Sequence, residues 1–285
     1  MNFRIDNVSL IIFSDIDGTF MNNDSFDLGN NIEIVKLLEK SNHMFVFNTS
    51  KTFNEICHLQ KVHRTNFSFI CETGGGIYSN ENISSPFKGK RKNYYIVHES
   101  PRIKDIKQEI QTHAKRYFPG ELIFYDDMNK KQISDISGLK GEDLKRSLKR
   151  DFSILFRWKS TITRYEEFKS LLKNYNLNII EGGRFSHICS NQNKGKAVQN
   201  FMSIIKNKYK NVQLLSIALG DSINDIDMLE IADFPCIVKS PHNKPLIDGL
   251  MHKNTIMSHN FAPNGWIECI QSVITKLRIM DNCNG

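Results

Sequence analysis

Asp15 and Asp17 stand two residues apart in IIFSDIDGTF, at the end of an apolar run and directly before Gly18. Two carboxylates so placed read as reactive chemistry rather than packing, the plain alternative being an acidic turn that closes a strand. Two further apolar runs end in residues of the same kind. HMFVFNTSKT delivers Thr49, Ser50 and Lys51, and LLSIALGDSIND delivers Asp221, Ser222, Asn224 and Asp225. If these runs are neighbouring strands of one parallel sheet, their carboxyl ends meet at one edge, where ligands of open α/β sheets bind. Four carboxylates there repel one another and raise one another's pKa unless positive charge sits among them. Oxygen donors with no nearby His or Cys point to Mg2+. The segment NQNKGKAV adds Lys194 at a predicted helix start, where an ammonium joins the free N–H groups to make a place for a phosphate. Lys196 is the alternative.

The elements that must position these residues follow from hydrophobic periodicity. Val8, Leu10, Ile11, Ile12 and Phe13 predict a buried strand over 8–14, and Gly18 permits the turn after it. A helix over 30–41, a strand over 43–48, a helix over 52–61 and a strand over 67–71 complete a βαβαβ run. That pattern predicts an α/β fold with a doubly wound, Rossmann-like parallel sheet. The same grammar resumes with a helix over 195–208, a strand over 213–219, a helix over 223–231, a strand over 235–239 and a helix over 264–278. Residues 87–189 differ in texture. Short strands at 94–98, 153–158, 178–180 and 185–189 lie among charged helices at 102–117, 141–150 and 163–175, which predicts an inserted α+β domain. The expected division is therefore a core of 1–86 and 190–285 with an insert of 87–189, joined by short hinges.

Composition narrows the class. The chain has 285 residues, is 40% hydrophobic and 24% charged, and carries a formal net charge of +7. That is enough chain for one large domain or two modest ones. No apolar run approaches the roughly 20 residues needed to span a bilayer, and MNFRIDNVSLIIF has no small-residue cleavage site, so the expectation is a cytoplasmic protein without a membrane partner. Six cysteines without a CxxC pair argue against a zinc site and a disulfide framework. Basic runs such as KGKRK (88–92) and LKRSLKRD (144–151) are interleaved with acids along the whole chain, so they read as solvated faces and no nucleic-acid partner is expected.

DIDGT, the NTSKT strand end, NKGKAV and GDSIND, in this order, resemble the four motifs of the haloacid dehalogenase superfamily of phosphohydrolases. The resemblance implies Asp15 as nucleophile, Asp17 as general acid and base, Thr49 as the hydroxyl of the second motif with Ser50 as the alternative, and Lys194 as the lysine of the third. It also implies that Mg2+ is held by Asp15, Asp17 through its carbonyl, and Asp221, with Asp225 as a ligand or an orienting group. The insert is similar to the large cap of the family's sugar-phosphatase branch. Within that branch SKT, ETGGGIY, GGRFSH, GDSINDIDMLE and PNGW resemble the mannosyl-3-phosphoglycerate phosphatases. A phosphorylated sugar or glycerate substrate is then expected, the mannosyl ester first and the glucosyl ester or another sugar phosphate as alternatives.

Substrate contacts are expected from Ser50, Lys51, Glu72, Thr73, Gly74, Gly75, Arg184 and Asn224. The glycines let backbone N–H groups approach a ligand, although GGG also suits a tight turn, and Arg184 offers a planar fork to a carboxylate or phosphate. Trp266 also reads as an anchor at a helix start, and His187 as a strand histidine. Three departures from the family pattern stand out. Thr73 and Ile267 occupy positions where the family usually shows Asn, and KRDFSILF lacks a Glu-Pro. They leave the chemistry intact and the choice of sugar open. A retired phosphatase fold serving as a binding protein is the non-enzyme alternative, against which all six motif residues remain chemically competent.

Overall fold

A computed structural model describes residues 3, 5, 8–182, 184–241 and 255–284; Gly183 of GGRFSH lies outside the described residues. The first half alternates as expected through β1 (Val8–Ser14), α1 (Asn31–Lys40), β2 (Met44–Asn48), α2 (Phe53–Val62) and β3 (Ser68–Cys71). β4 (Gly76–Ser79), β5 (Lys90–Arg91) and β6 (Tyr94–Glu99) follow. A second group comprises α3 (Lys107–Tyr117), β7 (Leu122–Phe124), α4 (Lys130–Ser137), α5 (Gly141–Ser147), β8 (Ser153–Trp158), α6 (Ile162–Lys173), β9 (Asn178–Glu181) and β10 (Ser186–Cys189). The chain then returns through α7 (Lys194–Lys208), β11 (Gln213–Gly220), α8 (Ile226–Ile231), β12 (Phe234–Lys239), β13 (Ile256–Phe261) and α9 (Asn264–Asn284).

The strands form a nine-stranded sheet, β13-β12-β11-β1-β2-β3-β4-β6-β5, and a four-stranded antiparallel sheet, β7-β8-β10-β9. From β13 to β3 the large sheet is parallel, and β4, β6 and β5 continue it antiparallel. β1 lies between β11 and β2, so the order of connection reverses beside it, which is where doubly wound sheets open a crevice. Side chains alternate across β1 as the pleat requires: Leu10 and Ile12 join the apolar core on the face of Trp266, while Ile11 and Phe13 join Phe201 and Met228 on the other. Burial on both faces is what fixes the direction in which Asp15 leaves the strand.

The strand expected inside the insert at 94–98 is instead part of the large sheet, with Gly76 opposite Glu99 and Lys90 opposite Tyr95. The cause is the Tyr94 ring, which is buried edge-on against Phe69 of β3 at 4.8 Å. The four-stranded sheet packs Ile154, Phe156 and Ile188 against Ile110 of α3 and Phe168 of α6, an apolar core of its own. No helix among the described residues is long and apolar enough to cross a membrane.

Candidate active site

Asp15 follows β1 directly and is 6% exposed. Its backbone carbonyl accepts from the Ser14 hydroxyl at 2.7 Å, and that hydroxyl in turn accepts from the Trp266 indole N–H at 3.0 Å, so a fully buried ring braces the strand end. Gly18 has φ +80°, and a Cβ placed on it would lie 2.4 Å from Oδ2 of Asp221, so the turn and the close approach both require glycine. Thr19, which motif spacing did not single out, donates its hydroxyl to Oδ1 of Asp221 at 3.0 Å.

Lys194 is the first residue of α7 and is fully buried. Its ammonium donates to Asp15 at 2.8 Å and to Asp225 at 2.6 Å. Burial opposes the charge on Lys194, but the two carboxylates outweigh it and hold the pKa above the usual lysine value. Lys196, the alternative, is exposed and turns its Nζ to Asn191. Asp225 spends its other oxygen on the backbone amides of Asp221 and Ser222 and on the Ser222 hydroxyl. It therefore fixes both the lysine and the loop that carries Asp221.

Carboxylate oxygens of Asp15, Asp221 and Asp225 lie within 4.8 Å of one another, all three residues buried. Burial and then the neighbouring carboxylates of Asp225, Asp221 and Asp17 push the Asp15 carboxyl up to about 8, against the pull of Lys194. Two of the three carboxylates, Asp15 and Asp225, share the Lys194 ammonium, and every donor is a hard oxygen; the set fits a divalent cation.

Thr49 and Ser50 follow β2. Thr49 is fully buried, and its hydroxyl oxygen accepts from the Lys51 amide at 3.2 Å. Ser50 and Lys51 line the cleft above Asp15, and Lys51 forms an ion pair with Asp17 at 2.9 Å. The cleft, ≈ 180 Å³, lies between the two sheets. Arg184 and Asn224 line it as expected. Arg184 donates to the Ser137 carbonyl at 3.0 Å and to the Asn23 side chain at 3.3 Å, reaching from one layer to the other.

Glu72, Thr73, Gly74 and Gly75 depart from expectation. All four are buried behind the cleft and none lines it. The Glu72 carboxylate is turned to the four-stranded layer, where the Asp151 and Phe152 amides and the Ser153 hydroxyl occupy it at 2.8–2.9 Å. Thr73 has φ +56° and ψ +45°, a left-handed conformation that asparagine adopts far more readily than a β-branched residue, and its buried hydroxyl has no hydrogen-bond partner among the described residues. Thr73→Asn is expected to raise thermal stability by ~1 kcal/mol, read as the shift in unfolding midpoint; a lower midpoint would show that the surrounding space does not admit the amide.

Sequence reasoning also passed over Arg150 and Tyr125, which line the cleft, and discounted His187, which lines it too. Arg150 was hidden in a basic run read as solvated. Its guanidinium donates to the Ser50 carbonyl at 2.7 Å and to Ser153 at 2.8 Å. His187 is held neutral: burial first, then Arg150 and Lys194, push it down to about 3. The unfolded chain takes up this proton below about pH 6.5, so the fold loses stability as pH falls from there towards 3, with a slope of about 1.4 kcal/mol per pH unit. Urea midpoints between pH 6 and 4 should fall less steeply for His187→Gln than for the parent; parallel curves would mean that the ring does not titrate on unfolding.

A family model for haloacid dehalogenase-like hydrolases matches residues 12–244. A glucosyl-3-phosphoglycerate/mannosyl-3-phosphoglycerate phosphatase from Methanococcoides burtonii is 28% identical over 276 residues, covering 93% of this chain and 97% of that one. A mannosyl-3-phosphoglycerate phosphatase from Pyrococcus horikoshii is 28% identical over 239 residues, covering 82% and 92%. Among solved structures, a phosphatase of the haloalkanoate superfamily from Bacteroides thetaiotaomicron superposes with a TM-score of 0.66 at 13% identity, covering 95% of this chain and 97% of that one, a likeness of fold. With a model matched across both halves of the large sheet and all four motif segments, the chain belongs to the haloacid dehalogenase-like hydrolase family.

Proposed function

We propose that the chain is an Mg2+-dependent phosphatase that acts on a glycosyl-3-phosphoglycerate, mannosyl or glucosyl, through an aspartyl phosphate. The observation that carries this reading is Lys194 bridging Asp15 and Asp225 beside Asp221, with Asp17 and Lys51 paired at the mouth of the same cleft. The printed names of the Methanococcoides and Pyrococcus relatives support the substrate class.

An Asp15 oxygen attacks phosphorus in line with the departing sugar or glycerate oxygen. Asp17 gives that oxygen its proton, then takes one from the water that attacks the aspartyl phosphate, which frees phosphate and restores the Asp15 carboxylate. Lys194 and the Thr49 hydroxyl meet the equatorial oxygens. Asp15, the Asp17 carbonyl and Asp221 would hold Mg2+, which when bound offsets the negative charge of the carboxylates and of the phosphate. Asp225 keeps Lys194 and the Asp221 loop in place. Arg184 and Arg150 offer positive charge to the glycerate carboxylate, and Ser50, Lys51 and Asn224 border the same space. The four-stranded layer acts as a cap that closes over the substrate. We place the division after Glu99 and before Ser190, later at its first boundary than periodicity predicts, because β4 to β6 belong to the core sheet.

Phosphate release from mannosyl- and glucosyl-3-phosphoglycerate and a panel of sugar phosphates, with Mg2+ and with EDTA, tests the reading. Turnover is expected with Mg2+ and should fall at least ~100-fold with EDTA. Absence of metal-dependent release from every ester would sink the phosphatase assignment.

A further inference from the structure

Residues 72–75 touch the cap and the phosphate-facing strand end at once. The Glu72 carboxylate, 1% exposed, accepts from the amides of Asp151 and Phe152, which lead into β8, and from the hydroxyl of Ser153, its first residue. Its backbone carbonyl accepts at 2.9 Å from the Gln192 side chain, on the segment that leaves the cap for α7. Ser100, on the segment that enters the cap, donates its amide to the Gly75 carbonyl at 2.8 Å. A Cβ on Gly74 would stand 2.4 Å from the Asn193 carbonyl, and φ there is +95°. So one short loop holds the way in, the way out and the start of the cap's longest strand with the two residues before it.

Its other side faces the catalytic layer. The Glu72 amide donates to the Lys51 carbonyl at 2.9 Å and the Thr73 amide to the Thr49 carbonyl at 3.0 Å. Glu72, Thr73 and Gly74 are all left-handed, with φ of +47°, +56° and +95°. Two of them are not glycine, and such a run persists only where its surroundings over-determine it.

We infer that Glu72 is a positioning residue, the joint through which the cap's position relative to the cleft is tied to the loop that carries Thr49 and Lys51. Three donors converge on one buried carboxylate, with the Arg150 guanidinium ion-paired to it at 3.7 Å, and the same residue's amide and carbonyl reach the two sides, so a shift of the cap moves the Lys51 carbonyl through bonds rather than through solvent.

Glu72→Gln is the test, because it keeps the volume and replaces one acceptor oxygen with a donor that faces another donor. Amide hydrogen exchange is expected to quicken at least ~5-fold at 100–106, 150–154 and 190–193 together, while β1 and β11 keep their protection. In kinetics, the loss of kcat/KM on a glycosyl-3-phosphoglycerate should exceed the loss on p-nitrophenyl phosphate, which does not fill the cap, at least ~10-fold. Faster exchange confined to 150–154, or equal losses on both esters, would overturn the inference. The kinetic arm rests on the phosphatase reading and the exchange arm does not; a parent that releases phosphate from neither ester defeats that reading and leaves exchange to decide the joint. Should Glu72→Gln fail to fold, Gln192→Ala leaves the carboxylate's bonds intact and is expected to quicken exchange at 100–106 as well as at its own segment, and unchanged exchange at 100–106 would overturn the joint.

Discussion

Asp15→Asn is expected to abolish turnover and to make the metal-free protein more stable. The amide keeps the shape of the side chain and the bond from Lys194 but cannot form a lasting acyl phosphate, so kcat should fall at least ~10⁴-fold. The stability effect follows from burial and the neighbouring acids. They hold the Asp15 carboxyl at about 8 in the fold, against 3.8 as its ordinary value. Between those values the folded state binds a proton that the unfolded chain has released, so stability declines as pH rises from about 4 to about 8. At pH 7 removal of the titrating group should return ~1–3 kcal/mol, a trade of stability against activity common at reactive sites. Phosphate release and thermal unfolding in EDTA read the two effects separately. Activity near that of the parent would remove Asp15 as nucleophile, and a lower unfolding temperature would refute the account of charge repulsion.

What could be read from the bare chain was whatever depends on local order. The alternation at Leu10 to Phe13, the carboxylates after each apolar run, and the place of Lys194 between an insert and the GDSIND strand are properties of neighbouring residues, and the folded chain brings Asp15, Lys194, Asp221 and Asp225 together as that order implies. What could not be read depends on partners far along the chain. Glu72 looked like a ligand contact because a carboxylate beside three glycines suits one. Its actual partners begin 79 residues further on, and residue type says nothing about direction. Arg150 was lost in LKRSLKRD for the same reason, since a cation that lines the cleft and one in solvent have the same letters around them. β4 and β6 were missed as parts of the large sheet because GGGIYS reads as loop and Tyr94 finds Phe69 only after folding. The errors are thus of direction, and they fall at the seam between the two sheets.

Lys194 is a second residue on which both chemistry and stability turn. Lys194→Met keeps the length of the side chain and removes its charge. Asp15 and Asp225 then lose the ammonium at 2.8 and 2.6 Å, with the carboxylate of Asp221 close beside them. Breaking a buried ion pair by deleting one partner destabilises by ~3–5 kcal/mol, which for a chain of this size lowers the unfolding midpoint by roughly 10 °C. Loss of a positive group aimed at the phosphate should lower kcat by ~10²–10³. The two effects separate with added divalent cation: Mg2+ should recover part of the unfolding midpoint, by supplying charge to the carboxylates, without recovering turnover, because Asp225 no longer has a partner to hold toward Asp15. Measured by thermal unfolding and phosphate release with and without Mg2+, a midpoint unchanged from the parent would show that Lys194 is not the counter-charge of the cluster. Retained turnover would return the phosphate-binding role to Lys196, whose ammonium now faces Asn191.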